Sequence, residues 1–128
     1  MNSSLYGRRV LVVEDEMIVA WLLEDMLADF GCTIVGPAAR IDQALAMIKA
    51  EALDAAVLDV NLNGQQSYPL ADALVTRGVP FVFSTGYGCR LLDGYRDFPV
   101  LQKPYQSVEF RNALAKLLSS KEMRIPSN

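Results

Sequence analysis

Short runs of consecutive apolar residues alternate along this chain with longer stretches in which apolar positions return every three or four residues. Val10, Leu11, Val12 and Val13 form the first run, which stops abruptly at Glu14-Asp15-Glu16. An unbroken, β-branched run of that length predicts a strand covered on both faces. Across residues 16–30, Val19, Leu23, Met26, Leu27 and Phe30 share one helical stripe, and Gly31 supplies a stop. The alternation repeats with Thr33-Ile34-Val35-Gly36 as a strand and a helix over residues 41–49 that turns Ile41, Ala44, Leu45 and Ile48 inward. Residues 55–60 give a third strand ending in Leu58-Asp59-Val60, followed by the turn-like Asn61-Leu62-Asn63-Gly64. A helix then runs from Tyr68 or Pro69 to Arg77 and closes at Gly78. Phe81-Val82-Phe83-Ser84 is the fourth strand. Gly86, Gly88 and Gly94 follow closely, and each glycine inside a helix costs about 1 kcal/mol relative to alanine, so a short or mobile fourth helix is predicted. Val100-Leu101-Gln102 makes the fifth strand, and Phe110, Ala113, Leu114, Leu117 and Leu118 mark a final helix from near Ser107.

Strands alternating with helices predict an α/β domain: a parallel, doubly wound sheet between two helical layers, with ligands beyond the carboxyl ends of the strands. The 128 residues, half of them apolar, suit one domain with one sizeable core. A net charge of −3 with dispersed Lys and Arg argues against nucleic acid as a partner. No apolar run approaches the roughly 18 residues of a membrane span, and residues 1–7 lack a secretion signal, so a cytoplasmic protein without a membrane partner is expected. Cys32 and Cys89 lie far apart without CxxC spacing, which indicates neither zinc nor a disulfide framework. With no histidine in the chain, any chemistry must rest on carboxylates, hydroxyls and lysine.

Those groups converge on the strand ends. Glu14 and Asp15 follow the first strand, Asp59 ends the third, Ser84 and Thr85 end the fourth, and Lys103 follows the fifth. Each has an ordinary reading alone: Glu14-Asp15-Glu16 suits the positive end of the following helix, and a single lysine is usually solvated. Together the acids need a cation, because carboxylates roughly 4 Å apart repel by about 4 kcal/mol per pair at an effective dielectric near 20. A few hard oxygen ligands suit Mg²⁺ (or Mn²⁺), which keeps several waters and shares its shell with phosphate. In that setting Asp59 is a candidate nucleophile toward phosphorus, with Lys103 neutralising the transferred group and Thr85 donating to it.

Val12-Val13-Glu14-Asp15-Glu16, Leu58-Asp59, Thr85 and Lys103-Pro104 stand in the order and strand positions found in bacterial response-regulator receiver domains. Over residues 8–119 the chain resembles that CheY-like family, with residues 1–7 as an N-terminal extension and 120–128 as a loose tail. The resemblance implies a flavodoxin/CheY-like five-stranded sheet of order 2-1-3-4-5. It makes Asp59 the phosphoacceptor, Asp15 a direct Mg²⁺ ligand, Glu14 a water-mediated one and the Asn61 main-chain carbonyl a third protein contact. Thr85 and Lys103 would bind the phosphate, and a cis peptide before Pro104 would aim Lys103 into the pocket. The stretch Pro80-Phe81-Val82-Phe83-Ser84-Thr85-Gly86-Tyr87-Gly88 further resembles a subgroup of single-domain receivers with a Phe-x-Phe-Ala-Thr-Gly-Tyr-Gly signature, Ser84 replacing the alanine.

The function so implied is that of a stand-alone two-component response regulator rather than a turnover enzyme. A histidine kinase, HWE-type kinases included, or a histidine phosphotransfer protein would supply the phosphoryl group, and an unidentified downstream protein would be contacted noncovalently. The rivals are a phosphorylation-independent adaptor on the same fold and a phosphate sink. A flavin protein is disfavoured, because acids rather than a glycine loop follow the first strand. One departure from the family is Val100, which occupies the position three before the lysine where most receivers carry a switching Tyr or Phe. Gly86, Tyr87 and Tyr105 are the candidates for a replacement switch or for control of water access. Met17, Ile18 and Trp21 lie beside the inward stripe of the first helix and form a candidate partner interface, the alternative being packing against the last helix.

Overall fold

Residues that are buried in succession, rather than alternately, account for the unbroken apolar runs. In the computed structural model, which describes residues 5–86 and 90–123, β1 (Arg9–Val13), β2 (Thr33–Ala38), β3 (Ala55–Asp59), β6 (Phe81–Thr85) and β7 (Val100–Gln102) form one parallel sheet in the order β2-β1-β3-β6-β7. With β6 and β7 as the fourth and fifth predicted strands, this is the expected order 2-1-3-4-5. Successive side chains point to opposite faces. Val10, Val12, Val57 and Val82 therefore pack on one side with Leu23 and Leu27 of α1 (Met17–Asp29) and with Phe110 and Leu114 of α4 (Ser107–Met123). Leu11, Val13, Leu58 and Phe83 pack on the other side with Ile48 of α2 (Ile41–Ala50) and with Leu70 and Leu74 of α3 (Tyr68–Arg77). Each fully buried Val, Leu or Phe contributes about 1.5–3 kcal/mol of transfer free energy, so both helical layers are held by many separate contacts. Leu5 is also buried in the α1/α4 layer, and α4 continues through Met123, past the predicted start of the tail.

Three local features differ from the sequence expectation. First, no helix lies between β6 and β7 among the described residues. The segment after Arg90 is held by side chains instead: Tyr95 stacks on Tyr68 at 4.4 Å and Phe98 on Phe81 at 4.8 Å. The Leu92 N–H donates to Tyr68 Oη (3.0 Å), and Tyr95 Oη donates to Asp72 (2.9 Å). Second, the turn after Asp59 is a small hairpin of β4 (Asn61–Leu62) and β5 (Gln65–Gln66). Asn63 and Gly64 both have positive φ, 50° and 86°, as a two-residue turn between twisted strands requires. Third, the register of β1 against β2 shifts between Leu11 and Val13. Gly36 turns there at φ 96°, where a Cβ would meet Ala38 N at 2.9 Å. That irregularity brings the Ala38 carbonyl to the Glu14 N–H (2.9 Å) and anchors the residue that begins the site.

Candidate functional site

Glu14 leaves β1 into the crevice at the carboxyl edge of the sheet and is almost completely buried. Its Oε2 accepts the Glu16 N–H (3.0 Å), whereas Glu16, the residue capping α1, makes no side-chain cap bond. The acidic run is thus not spent on capping the helix. Asp59, the last residue of β3, is 8% exposed and points into the same crevice. Lys103 reaches across from beyond β7, and its Nζ donates to Glu14 Oε1 (2.9 Å) and Asp59 Oδ2 (3.2 Å). Its backbone N–H donates to the Thr85 carbonyl (2.7 Å), which seats the lysine beside the end of β6, and the Lys103–Pro104 peptide is cis. Asp15 Oδ2 accepts the Asn63 N–H (2.9 Å), and Asp59 Oδ1 accepts the Asn61 N–H (3.3 Å), so the hairpin orients two of the acids.

Glu14, Asp15 and Asp59 each place a carboxylate oxygen within 4.8 Å of the others. At that separation each pair repels by about 3.5 kcal/mol for an effective dielectric near 20, and one ammonium offsets only part of the total. Burial pushes the Glu14 carboxyl above its usual range; the Lys103 hydrogen bond pulls it down without fully offsetting that, and the Asp59 charge adds to the rise. For Lys103, burial works to lower the ammonium, but bonding to Glu14 and the charge of Asp59 outweigh it and raise the pKa. Three oxygen donors in need of positive charge fit a hard divalent cation.

Of the residues singled out in the sequence, Glu14, Asp15, Asp59, Asn61, Thr85 and Lys103 come together at this edge. The Asn61 side chain accepts the Gly64 N–H (3.0 Å), steadying the hairpin turn. Thr85 is buried at the end of β6, and Gly86 is exposed just beyond it. Tyr87 lies outside the described residues. Tyr105 turns inward: its ring packs on Phe110 (5.7 Å) and its hydroxyl meets Ser84 Oγ at 3.2 Å. Burial raises the phenol pKa of Tyr105. Met17, Ile18 and Trp21 are 64%, 70% and 57% exposed, and Leu22 at 53% extends the patch. Sequence reasoning missed Leu22, although it stands four positions after Ile18 on the same outward face. It also missed the Asn63 N–H as an orienting donor, for which the Asn-Gly turn was the available signal.

The profile of the response regulator receiver domain matches residues 10–115. The chain belongs to the response regulator receiver domain family. It is thus a receiver domain of two-component signalling, with the CheY-like fold described above. It is 42% identical to SdrG from Sphingomonas melonis Fr1, whose solution structure superposes with a TM-score of 0.80, over 92% of this chain and 99% of that one. A second SdrG structure, in a BeF3-activated conformation and assigned to Pseudomonas melonis Fr1, matches at 42% identity and TM-score 0.74, over 86% of this chain and 95% of that one. The phyllosphere-induced regulator PhyR from Methylorubrum extorquens is 28% identical over 114 residues, 85% of this chain, which spans only 43% of PhyR. The receiver domain of the sensor histidine kinase PA1611 from Pseudomonas aeruginosa PAO1 is 23% identical, with TM-score 0.75 over 88% of this chain and 98% of that one. That relative carries a magnesium ion coordinated in its active-site cleft. Among the described residues of this receiver domain, no helix is long and apolar enough to cross a membrane.

Proposed function

We propose that this receiver domain, residues 8–119, works as a response regulator that takes a phosphoryl group onto Asp59 and signals through protein contacts. The observation that carries the proposal is the Lys103 ammonium held between Glu14 and Asp59, with the Asp15 carboxylate beside them. A buried acid at a strand end, with a fixed ammonium on one oxygen and a backbone N–H on the other, is oriented for nucleophilic attack. The BeF3-activated state of SdrG supports the reading.

Glu14, Asp15, Asp59 and the Asn61 main-chain carbonyl are the groups that would hold Mg²⁺ or Mn²⁺. Bound there, the cation supplies positive charge that offsets the charge of the transferred group. In the transfer itself an Asp59 oxygen forms a bond to phosphorus as the bond from phosphorus to the donor histidine nitrogen breaks, and the electron pair leaves with the imidazole. Lys103 stays beside the carboxylate whose charge is consumed and neutralises the incoming oxygens. The Thr85 hydroxyl donates to one of those oxygens. The site stores the group rather than turning over substrate, so the domain is a switch and not an enzyme in its own right.

Donors of the required chemistry are a histidine kinase, the HWE type included, or a histidine phosphotransfer protein. The exposed apolar patch of Met17, Ile18, Trp21 and Leu22, on the helix that starts two residues after Asp15, is assigned to docking the donor's helices. The downstream contact is with another protein in the cytoplasm. Incubation with acetyl phosphate and Mg²⁺, read by intact mass, tests the proposal: wild type gains one phosphoryl group and Asp59→Asn gains none. Absence of any Asp59-dependent gain would favour an adaptor that works without phosphorylation.

A further inference from the structure

Ser84 stands in register with Asp59 across the β3/β6 ladder. Val82 packs in the α1/α4 layer while Phe81 and Phe83 pack in the other, so the alternation of β6 places Ser84 on the α1/α4 face. Val57 lies in that layer too, which puts the Asp59 side chain on the same face. Ser84 is 1% exposed, and the bond it makes at this depth is to the Tyr105 hydroxyl, 3.2 Å away. Tyr105 follows Lys103 by two positions and packs its ring against Phe110 of α4. The segment from Lys103 to Tyr105 is therefore tied to β6 at both ends: by the Lys103 N–H to the Thr85 carbonyl at 2.7 Å, and by Tyr105 to Ser84.

We infer that the Ser84–Tyr105 hydroxyl pair is a positioning element of the acceptor site, which sets where the Lys103 ammonium falls between Glu14 and Asp59. The inference rests on the reading of Asp59 as phosphoacceptor. A lysine side chain is long and flexible, so the backbone from which it springs decides what its ammonium can hold. With one tie the segment pivots about Thr85. With two it does not, and the Nζ stays within bonding distance of both acids. Ring packing alone would place Tyr105 near Phe110 without fixing its height along β6; the hydroxyl supplies that. Removing the Tyr105 hydroxyl leaves the buried Ser84 hydroxyl without its partner, whereas removing both leaves no orphan.

That asymmetry separates positioning from simple stabilisation. Ser84→Ala, Tyr105→Phe and the double variant are compared with wild type for melting temperature, for the rate of Asp59 phosphorylation by acetyl phosphate with Mg²⁺, and for the side-chain ammonium ¹H–¹⁵N signal of Lys103. The double variant is expected to melt close to wild type yet to phosphorylate about fivefold more slowly, the equivalent of one net hydrogen bond. The single variants should show nearly the same slowing, because the tie acts as a unit. The Lys103 signal should broaden or shift in all three. A double variant with the wild-type rate and an unchanged Lys103 signal overturns the inference. If wild type itself gains no phosphoryl group, the acceptor reading fails, and the ammonium signal alone decides whether the pair positions the lysine.

Discussion

Asp15→Asn removes one charge from the acidic cluster and little else. The amide keeps an oxygen in the place of Oδ2, so the bond from the Asn63 N–H (2.9 Å) survives. Asp15 has neither of the Lys103 bonds, which go to Glu14 and Asp59, yet its carboxylate lies within 4.8 Å of both. Without a divalent cation its charge is therefore chiefly repulsive. At 4.8 Å each repulsion is about 0.9 kcal/mol in water and about 3.5 kcal/mol at an effective dielectric of 20. Asp15 is only partly buried, and Lys103 already neutralises some of the charge on the other two acids, so a net stabilisation of about 1–2 kcal/mol is expected. Urea denaturation in EDTA should show a higher midpoint for Asp15→Asn at unchanged m-value. Repeated with saturating Mg²⁺, the order should reverse or close, because wild type is stabilised by a ligand that the variant binds poorly. The reasoning is refuted if Asp15→Asn is no more stable than wild type in EDTA, or if Mg²⁺ stabilises both proteins equally.

Lys103→Ala should cost about 3–5 kcal/mol near neutral pH, because it leaves two buried acids without their counter-charge. Glu14, whose pKa is raised by burial, contributes stability that is present below the ordinary carboxylate pKa near 4.3 and is lost as pH rises. The deficit of Lys103→Ala should therefore shrink on acidification through that range, and a deficit of constant size in urea titrations from neutral to acidic pH would contradict the assignment. Burial raises the Cys32 thiol, which donates to the Leu5 carbonyl at 3.3 Å. In a Cys89→Ser background it should react with a thiol reagent far more slowly in the native protein than in urea. The stability it contributes should fall as pH rises above about 8.5, the unfolded thiol pKa. Trp21→Ala, on an exposed face, should change the urea midpoint little and phosphorylation by acetyl phosphate not at all, while slowing transfer from a cognate histidine donor; a wild-type rate of transfer from that donor would remove Trp21 from the docking surface.

Where burial is uniform and local, the sequence alone was a reliable guide. The three central strands β1, β3 and β6 appear as apolar runs because their residues face a helical layer on both sides, and the inward stripes of α1, α2 and α4 are legible because each faces the sheet; the edge strands β2 and β7 are partly exposed. The acids and Lys103 could be placed at strand ends because each stands directly after such a run. What could not be read was whatever depends on side chains meeting across the fold. The glycines between β6 and β7 suggested a weakened helix. In the structure, Tyr68 and Asp72 of α3 and Phe81 of β6 hold Leu92, Tyr95 and Phe98 in a non-helical path, and no periodicity within the segment encodes those partners.

The same division runs through the site. The sequence by itself determined which groups stand at the carboxyl edge, since strand period and strand ends are local properties of the chain. Only the tertiary structure decided that one ammonium spans Glu14 and Asp59, separated from Lys103 by 89 and 44 positions, and that Ser84 meets Tyr105. Such bonds depend on sheet order, register and the height of each loop above the sheet, to within a few tenths of an ångström. Those quantities emerge when all the layers pack at once, because a hydrogen bond loses its value over distances far smaller than the spacing of the elements that carry it.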